Sequence, residues 1–136
     1  MNNYRKYLQG HLKEVAREEK ELEQKAGLAR EKAGEIARQL ARRFGVTKVC
    51  LFGSLATDDF DQFSDIDLAV AGLPEREYLK AYGLAEEMAR PFAVDLVLLE
   101  NAVETLKERV QKEGIVLYDR QGEENSPLKT PDIGNK

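Results

Sequence analysis

The sequence has a single cysteine and no long apolar run, and both absences restrict the class of protein. Cys50 has no second cysteine to pair with, which excludes an internal disulfide and favours a reducing, cytoplasmic compartment. The thiol lies in the apolar run Val49-Cys50-Leu51-Phe52, so we interpret it as a small buried hydrophobe rather than a nucleophile. No segment approaches the ~20 apolar residues of a transmembrane helix, and residues 1–6 show no apolar signal core. We therefore expect no membrane association.

The sequence also lacks a surplus of basic residues. Lysine and arginine total 21 and aspartate and glutamate total 25, which gives a formal net charge of −4. Without a basic surplus there is little to displace counterions from a nucleic acid backbone, so we expect no direct nucleic acid binding. The 136 residues suit one compact domain.

The first third of the chain has the pattern of a long helix. From residue 4 to 44, apolar residues recur at spacings of three, four or seven among good helix formers, and Gly45 follows the last of them. An unbroken helix of this length would span about 60 Å at ~1.5 Å per residue, more than the diameter of a small domain. Two arrangements are open: a break near Gly27 or Gly34, or a projecting first half. The projecting half would fold back on its own domain, or bind a second copy of the chain or a partner protein.

The rest of the chain alternates between strand and helix patterns. Four apolar or β-branched segments are predicted to be strands, namely residues 47–52, 64–70, 93–99 and 115–118. A helix is expected after Pro74, and another from Asn101, which has Glu104 three residues later as in a capping box. The pattern predicts an α/β (α+β) fold, a small mixed sheet of about four strands with packed helices. We divide the chain into an N-terminal helical extension, a domain and a disordered tail, residues 1–44, 45–119 and 120–136.

Three aspartates stand out among the predicted strands. Asp65 and Asp67 are two residues apart in one strand, so their side chains leave the same face and repel each other. Asp95 interrupts the apolar run of residues 93–99, where a lone carboxylate is unfavourable without a partner. If the two strands pair, all three carboxylates meet on one face, which is the donor set that Mg²⁺ prefers.

A second motif precedes the aspartates. Gly53 and Ser54 follow the first strand directly, where glycine allows close backbone approach to a ligand and a following helix directs free N–H groups at an anion. The pair alone is a weak signal, and its value comes from its position before Ser64-Asp65-Ile66-Asp67.

Together these motifs resemble the signature of the DNA polymerase β nucleotidyltransferase superfamily. Gly53-Ser54, the twelve-residue interval to Asp65, and Ser64-Asp65-Ile66-Asp67-Leu68-Ala69-Val70 carry the resemblance, and Asp95 is similar to the family's third carboxylate. The similarity covers residues 45–119. The short chain is similar to the minimal nucleotidyltransferases, the MntA-like antitoxins of bacteria and archaea, which implies the nucleotidyltransferase fold.

The resemblance implies a site and a chemistry. Gly53, Ser54 and Ser64 would bind a nucleoside triphosphate such as ATP. Asp65, Asp67 and Asp95 would be both the catalytic and the metal-binding residues, holding two Mg²⁺ ions. The reaction would transfer AMP to a hydroxyl, with the protein supplying position and electrostatics rather than a nucleophile.

The resemblance also implies a protein partner. Minimal nucleotidyltransferases often pair with a helical toxin of the HEPN class, which they inactivate by adenylylating a tyrosine. The expected function is therefore that of an antitoxin and protein adenylyltransferase. Family members often have Gly-Ser-Arg-Ala-Arg-Gly at the first motif, whereas this chain has Gly53-Ser54-Leu55-Ala56-Thr57-Asp58 and lacks both arginines. This departure keeps open a decayed site that neutralises a partner by covering it. A transferase acting on a small molecule, with an acceptor site formed by dimerisation of the N-terminal helices, is a third alternative.

Overall fold

The structure is a computed structural model that describes residues 2–62 and 64–124. The helices are α1 (Asn2–Phe44), α2 (Ser54–Thr57), α3 (Tyr78–Ala89), α4 (Glu104–Glu113) and α5 (Arg120–Glu124), and the strands are β1 (Lys48–Phe52), β2 (Ile66–Ala71), β3 (Val94–Leu98) and β4 (Ile115–Asp119). Single 3-10 turns, Glu75–Glu77 and Leu99–Asn101, precede α3 and follow β3.

The strands form one mixed sheet in the order β3-β2-β1-β4. The central strand β1 pairs antiparallel with both β2 and β4, while β2 and β3 are parallel. The parallel pair is joined through α3, which has the length that such a crossover needs. The prediction of a mixed α+β fold with about four strands is confirmed.

The two faces of the sheet are covered unequally. On one face the apolar side chains of β1, β2 and β3 pack with α1 and α3 in a large cluster that includes Ile36, Leu51, Leu68 and Leu96. On the other face a smaller cluster joins Cys50, Phe52 and Ala69 to Val110 of α4. Cys50 is therefore buried, as its apolar neighbours predict, and burial raises the pKa of its thiol.

Helix α1 runs unbroken through both Gly27 and Gly34, so the predicted alternative of a break is wrong. Its C-terminal half belongs to the core, where its apolar stripe is fully or nearly fully buried: Ala26, Ala29, Ala33, Ile36, Ala37 and Leu40. Residues 3–21, in contrast, are exposed. The helical extension of residues 1–44 is therefore half domain core and half projecting helix.

Three local expectations differ from the structure. Strand β2 begins at Ile66, so Ser64 and Asp65 precede it. Asn101 does not cap α4; Val103 is the N-cap residue and makes no side-chain cap hydrogen bond. The tail predicted to be disordered from residue 120 begins instead with α5, and the Arg120 backbone N–H donates to the Thr47 carbonyl at 2.9 Å. The remainder of the predicted tail, residues 125–136, lies outside the described residues, as does Phe63.

None of the described helices has an apolar stretch of the length that a bilayer-spanning segment requires.

Candidate active site

The candidate site lies where β1 ends and β2 and β3 begin, because the strand directions bring these ends to one edge of the sheet. Phe52, the last residue of β1, is opposite Asp67 in the antiparallel register. Asp67 is in turn opposite Asp95 in the parallel register of β2 and β3. Residue alternation places both carboxylates on the face that carries Ala69 and α4. The predicted proximity of Asp67 and Asp95 therefore follows from pairing of the two strands.

Gly53 fits tightly against Asp67. Its φ is +79°, a left-handed conformation that disfavours any side chain, and a Cβ at this position would overlap the Asp67 carboxylate. The glycine is therefore required here for two independent reasons, backbone conformation and space. The resulting turn places the start of α2 directly beside the Asp67 carboxylate.

Helix α2 is a single turn in which the Ala56 N–H donates to the Gly53 carbonyl at 3.0 Å, while the N–H groups of Ser54 and Leu55 have no preceding turn to bond to. It ends at Asp58, whose φ of +65° is unusual for a residue other than glycine. The Arg30 guanidinium of α1 donates to the Asp58 carboxylate at 2.9 Å, which ties the turn to the long helix. Ser54 is half-buried at the start of this turn and directly follows Gly53, the residue that fits against Asp67.

The electrostatics of the site are dominated by Asp67. Burial, and then the Asp95 and Asp65 carboxylates, raise its pKa to about 6, while the Arg109 guanidinium of α4 opposes this shift. Within the described part of the chain, Asp65, Asp67 and Asp95 form neither a hydrogen bond nor an ion pair. The Asp65 and Asp95 carboxylates thus repel a half-buried Asp67 carboxylate that has no protein cation bonded to it, and this arrangement favours an external cation.

The three carboxylates are a possible donor set for a metal ion. Among residues 2–62 and 64–124, no group of three histidine, cysteine, aspartate or glutamate side chains is arranged to hold a metal ion as it stands. The chemistry of the set nevertheless fits Mg²⁺, which takes oxygen ligands and keeps several waters, so few carboxylates need to touch it. Asp65 and Asp95 are exposed, so their side chains are free to turn toward a bound ion.

Ser64 has a local structural partner. Its hydroxyl accepts a hydrogen bond from the Asp61 backbone N–H at 2.9 Å and donates to the Asp61 carboxylate at 3.1 Å. These bonds close the loop that leads into β2. The serine therefore positions Asp65 through the backbone, while Gly53 and Ser54 lie directly at the site.

The positions of the two missing arginines are also informative. Leu55 is fully buried in the main core, and the Thr57 hydroxyl donates to the Gly53 carbonyl at 3.4 Å within its own turn. Neither residue supplies a positive charge to the site. The cation that acts on Asp67 is instead Arg109, on a different element.

Sequence reasoning did not identify Arg109 or the role of Tyr78. Arg109 is one of several basic residues on α4, and only the packing of α4 on the sheet brings it toward Asp67. The Tyr78 hydroxyl donates to the Leu96 carbonyl at 2.6 Å, and burial, followed by the Asp95 charge, raises its pKa. Tyr78 thereby contacts the edge strand β3, close enough to Asp95 for the carboxylate charge to act on its hydroxyl.

Comparison with known proteins agrees with this geometry. The family model described as polymerase beta, nucleotidyltransferase, matches residues 34–123, about two thirds of the chain. The match begins inside α1, consistent with the burial of that half of the helix. The chain belongs to this nucleotidyltransferase family. Comparison with curated proteins gives no significant match.

Among solved structures, the chain is similar to minimal nucleotidyltransferases. The chain is 27% identical to a protein of a toxin–antitoxin complex with AMP-PNP, with a TM-score of 0.56 over 65% of this chain and 74% of that one. It is 27% identical to a structure described as a minimal nucleotidyltransferase, with a TM-score of 0.56 over 66% of this chain and 93% of that one. A toxin–antitoxin MntA-HepT structure is 25% identical, with a TM-score of 0.52 over 68% of this chain and 74% of that one. The particular resemblance is thus to the minimal nucleotidyltransferases, including MntA antitoxins.

Proposed function

We propose that this protein is a Mg²⁺-dependent nucleotidyltransferase that transfers AMP from ATP to a hydroxyl of a partner protein, a toxin of the HEPN class. The observation that carries the proposal is the placement of Asp67 opposite Asp95 and against Gly53, without a protein cation bound to either carboxylate. Family membership supports nucleotidyl transfer, and the relative solved with AMP-PNP in a toxin–antitoxin complex supports ATP and a toxin partner.

In the proposed reaction the residues act by position. The Gly53-Ser54 turn binds the triphosphate, since its backbone can approach closely and its first N–H groups are free for phosphate oxygens. The acceptor oxygen attacks the α-phosphorus, the bond from that phosphorus to the bridging oxygen breaks, and pyrophosphate leaves with that oxygen. Asp95, exposed at the edge of the cluster, orients the acceptor hydroxyl and receives its proton.

Asp65, Asp67 and Asp95 would hold Mg²⁺, which supplies charge neutralisation at the phosphates when bound. We propose two Mg²⁺ ions, the number that the family resemblance implies. Arg109 adds a positive charge near Asp67 from the α4 side and partly replaces the charge of the missing arginines.

A binding module without turnover is the second candidate, because the turn of residues 53–58 contributes no cation of its own. In that case the protein neutralises its partner by covering it. The aspartates weigh against this, since three mutually repelling carboxylates have no role in such a module.

The experiment uses the full chain mixed with its HEPN-class partner, ATP and Mg²⁺, followed by intact-mass analysis. The partner is expected to gain mass in steps of one AMP, and the double substitution Asp65→Asn, Asp67→Asn is expected to abolish that gain. A matched control, Glu86→Gln with Glu87→Gln on the exposed side of α3, removes the same charge and should retain activity. Binding to the partner is measured in parallel.

The outcomes separate the two candidates. If the double aspartate variant binds the partner but no longer modifies or neutralises it, the enzyme is supported. If that variant still neutralises the partner as well as the parent protein, catalysis is dispensable and the binding module is correct. Calorimetry of ATP with Mg²⁺ and with chelator adds a check, since equal affinity in both would contradict the metal site.

A further inference from the structure

The exposed half of α1 carries the same apolar stripe as the buried half. The stripe consists of two lines of residues spaced by seven, Leu8-Val15-Leu22-Ala29-Ile36 and Leu12-Glu19-Ala26-Ala33-Leu40. Within residues 26–40 this stripe packs into the domain core, but farther toward the N-terminus Leu12 is 65% exposed and Leu8 is 40% exposed. The stripe that packs into the domain thus continues beyond Leu22 to Leu8, about four more turns at ~3.6 residues per turn, and the described residues do not cover it. Continuity with the core places this apolar surface on one defined side of α1.

Charge divides this exposed half into two segments of opposite sign. Residues 2–13 contain Arg5, Lys6 and Lys13 and no acidic residue, for a formal charge of +3. Residues 14–23 contain five glutamates against Arg17 and Lys20, for a formal charge of −3. A basic first turn opposes the helix dipole, which favours acidic residues at the N-terminus. The pattern therefore does not serve the stability of the isolated helix.

The basic and the acidic segments lie on opposite sides of Leu12 along the helix. Arg5 and Glu19 lie seven residues before and after Leu12 and so share its line along the helix. When two such helices pair in opposite directions about a point near Leu12, each basic segment lies against the acidic segment of the other copy. Parallel pairing would instead align like charges. The sequence is thus complementary to itself in one orientation.

The surface that would receive the basic end is acidic. A groove of about 660 Å³ lies between α1 and the loop after α2, and Glu19, Glu23 and Asp58 line it together with Leu22 and Phe60. Arg30 also lines the groove but is bonded to Asp58. Glu19 and Glu23 form no ion pair within residues 2–62 and 64–124. An arriving cation would therefore find glutamates that are not already neutralised.

We propose that the exposed half of α1 pairs with the same segment of a second copy of this chain, in antiparallel orientation. Leu8, Leu12 and Val15 of both copies form the apolar contact, and Arg5 of each copy lies beside Glu19 of the other. Because the dimer is two-fold symmetric, each charge contact occurs twice. The pairing does not depend on the nucleotidyltransferase activity.

The test is sedimentation velocity of the full chain at low salt, with the two charges on the stripe reversed one at a time. The parent protein is expected to dimerise at micromolar to tens of micromolar concentration. Arg5→Glu alone and Glu19→Arg alone should each raise the dimer Kd by about tenfold or more, since each converts two attractive contacts into two repulsive ones. An equimolar mixture of the two variants should dimerise nearly as well as the parent, because opposite charges again face each other.

A matched control separates this geometry from a general charge effect. Arg17 lies on the same exposed segment but off the stripe, where it pairs with Glu14 at 2.6 Å. Arg17→Glu should leave the dimer Kd within about twofold, and circular dichroism of all variants should match the parent because the changed residues are exposed. A parent protein that is monomeric at 100-fold higher concentration (about millimolar), an equal loss in Arg17→Glu, or a mixture that fails to associate would each overturn the proposal.

Discussion

Asp67 is the residue whose negative charge, which the candidate site needs, most clearly lowers the stability of the fold. It is half-buried at the end of the sheet, against Gly53 and opposite Asp95, and its pKa is raised to about 6. A carboxylate whose pKa is higher in the folded than in the unfolded protein binds more protons when folded at pH values between the two. Folding stability therefore falls as pH rises from about 4 through about 6, and stays lower above that. The fold retains an unfavourable charge at Asp67, which the proposed Mg²⁺ would neutralise.

Replacing Asp67 with asparagine should stabilise the metal-free protein. At pH 7.5 the free energy of unfolding should rise by about 1 kcal/mol, because the full pKa shift corresponds to about 3 kcal/mol and solvent screens part of it. The gain should vanish below pH ~4, where Asp67 is protonated in both states. Urea unfolding at both pH values with chelator present measures this. Glu86→Gln on exposed α3 serves as the control and should show no such gain, whereas a large loss in Asp67→Asn would make the carboxylate structural.

Gly53 should not tolerate even a methyl group. Gly53→Ala combines a positive φ with overlap between the new Cβ and the Asp67 carboxylate, so it should cost about 1–3 kcal/mol of stability. The same displacement should weaken ATP binding in the presence of Mg²⁺, which calorimetry measures. Gly83→Ala is the matched control: this glycine lies in α3 with nothing within 4 Å of an added Cβ, so alanine there should be neutral or slightly stabilising. Equal behaviour of the two variants would contradict the close approach at Gly53.

At the scale of elements, alanine determines how α1 meets the domain. The apolar stripe of α1 has small side chains in the sequence, because alanines occupy many of its positions. In the structure the alanines of the stripe from Ala26 to Ala37 are fully or nearly fully buried, and Ala81, Ala85 and Ala89 of α3, which packs against α1, have no exposed surface. Small side chains on both helices allow close approach, so the contact depends on close fit rather than on large apolar area. The alanine-rich pattern thus predicted a helix correctly and understated its burial.

Enlarging one of these alanines should disrupt the packing of α1. Ala33→Leu inserts three carbon atoms where the side chain has no exposed surface, so it should cost about 1–3 kcal/mol. Glu35→Leu makes a similarly sized apolar side chain at an exposed position of the same helix and should change stability by less than about 0.5 kcal/mol. Thermal unfolding of both variants tests this, and a tolerated Ala33→Leu would mean that α1 can move away from α3.

At the scale of the whole molecule, the N-terminal boundary of the domain lies within α1 and not at the C-terminal end of that helix. Residues 3–21 are exposed, whereas the core stripe begins at Ala26 and the family match begins at residue 34. The long helix therefore joins the domain that matches the nucleotidyltransferase family to an exposed helical segment, for which we propose dimerisation. The boundary expected at residue 44 follows the end of the secondary structure, whereas burial divides the chain earlier.

Truncation should reveal this boundary. Removing residues 1–18 should leave the melting temperature within about 2 °C of the parent and ATP affinity unchanged, because no buried apolar side chain is lost. Removing residues 1–33 should unfold the domain, since it deletes three buried alanines and 32 of the 43 residues of α1, the helix that covers the sheet. Differential scanning calorimetry distinguishes the two cases. A stable protein after the longer deletion would show that α1 is dispensable for the fold.

The sequence by itself determined the order of helices and strands, the α+β class and the candidate aspartates. The elements follow from local periodicity, and the aspartates follow from the free energy that burying a carboxylate in an apolar strand costs. Asp67 and Asp95 are unusual in apolar strands whatever the fold, and Gly53 after a predicted strand indicates a turn without any knowledge of the tertiary structure. The tertiary structure decided the features that depend on contacts between elements. These are the parallel register that places Asp67 opposite Asp95, the effect of Arg109 on the pKa of Asp67, and the burial of half of α1. Those features depend on distances between residues far apart in the chain, and periodicity within one segment contains no information about such distances.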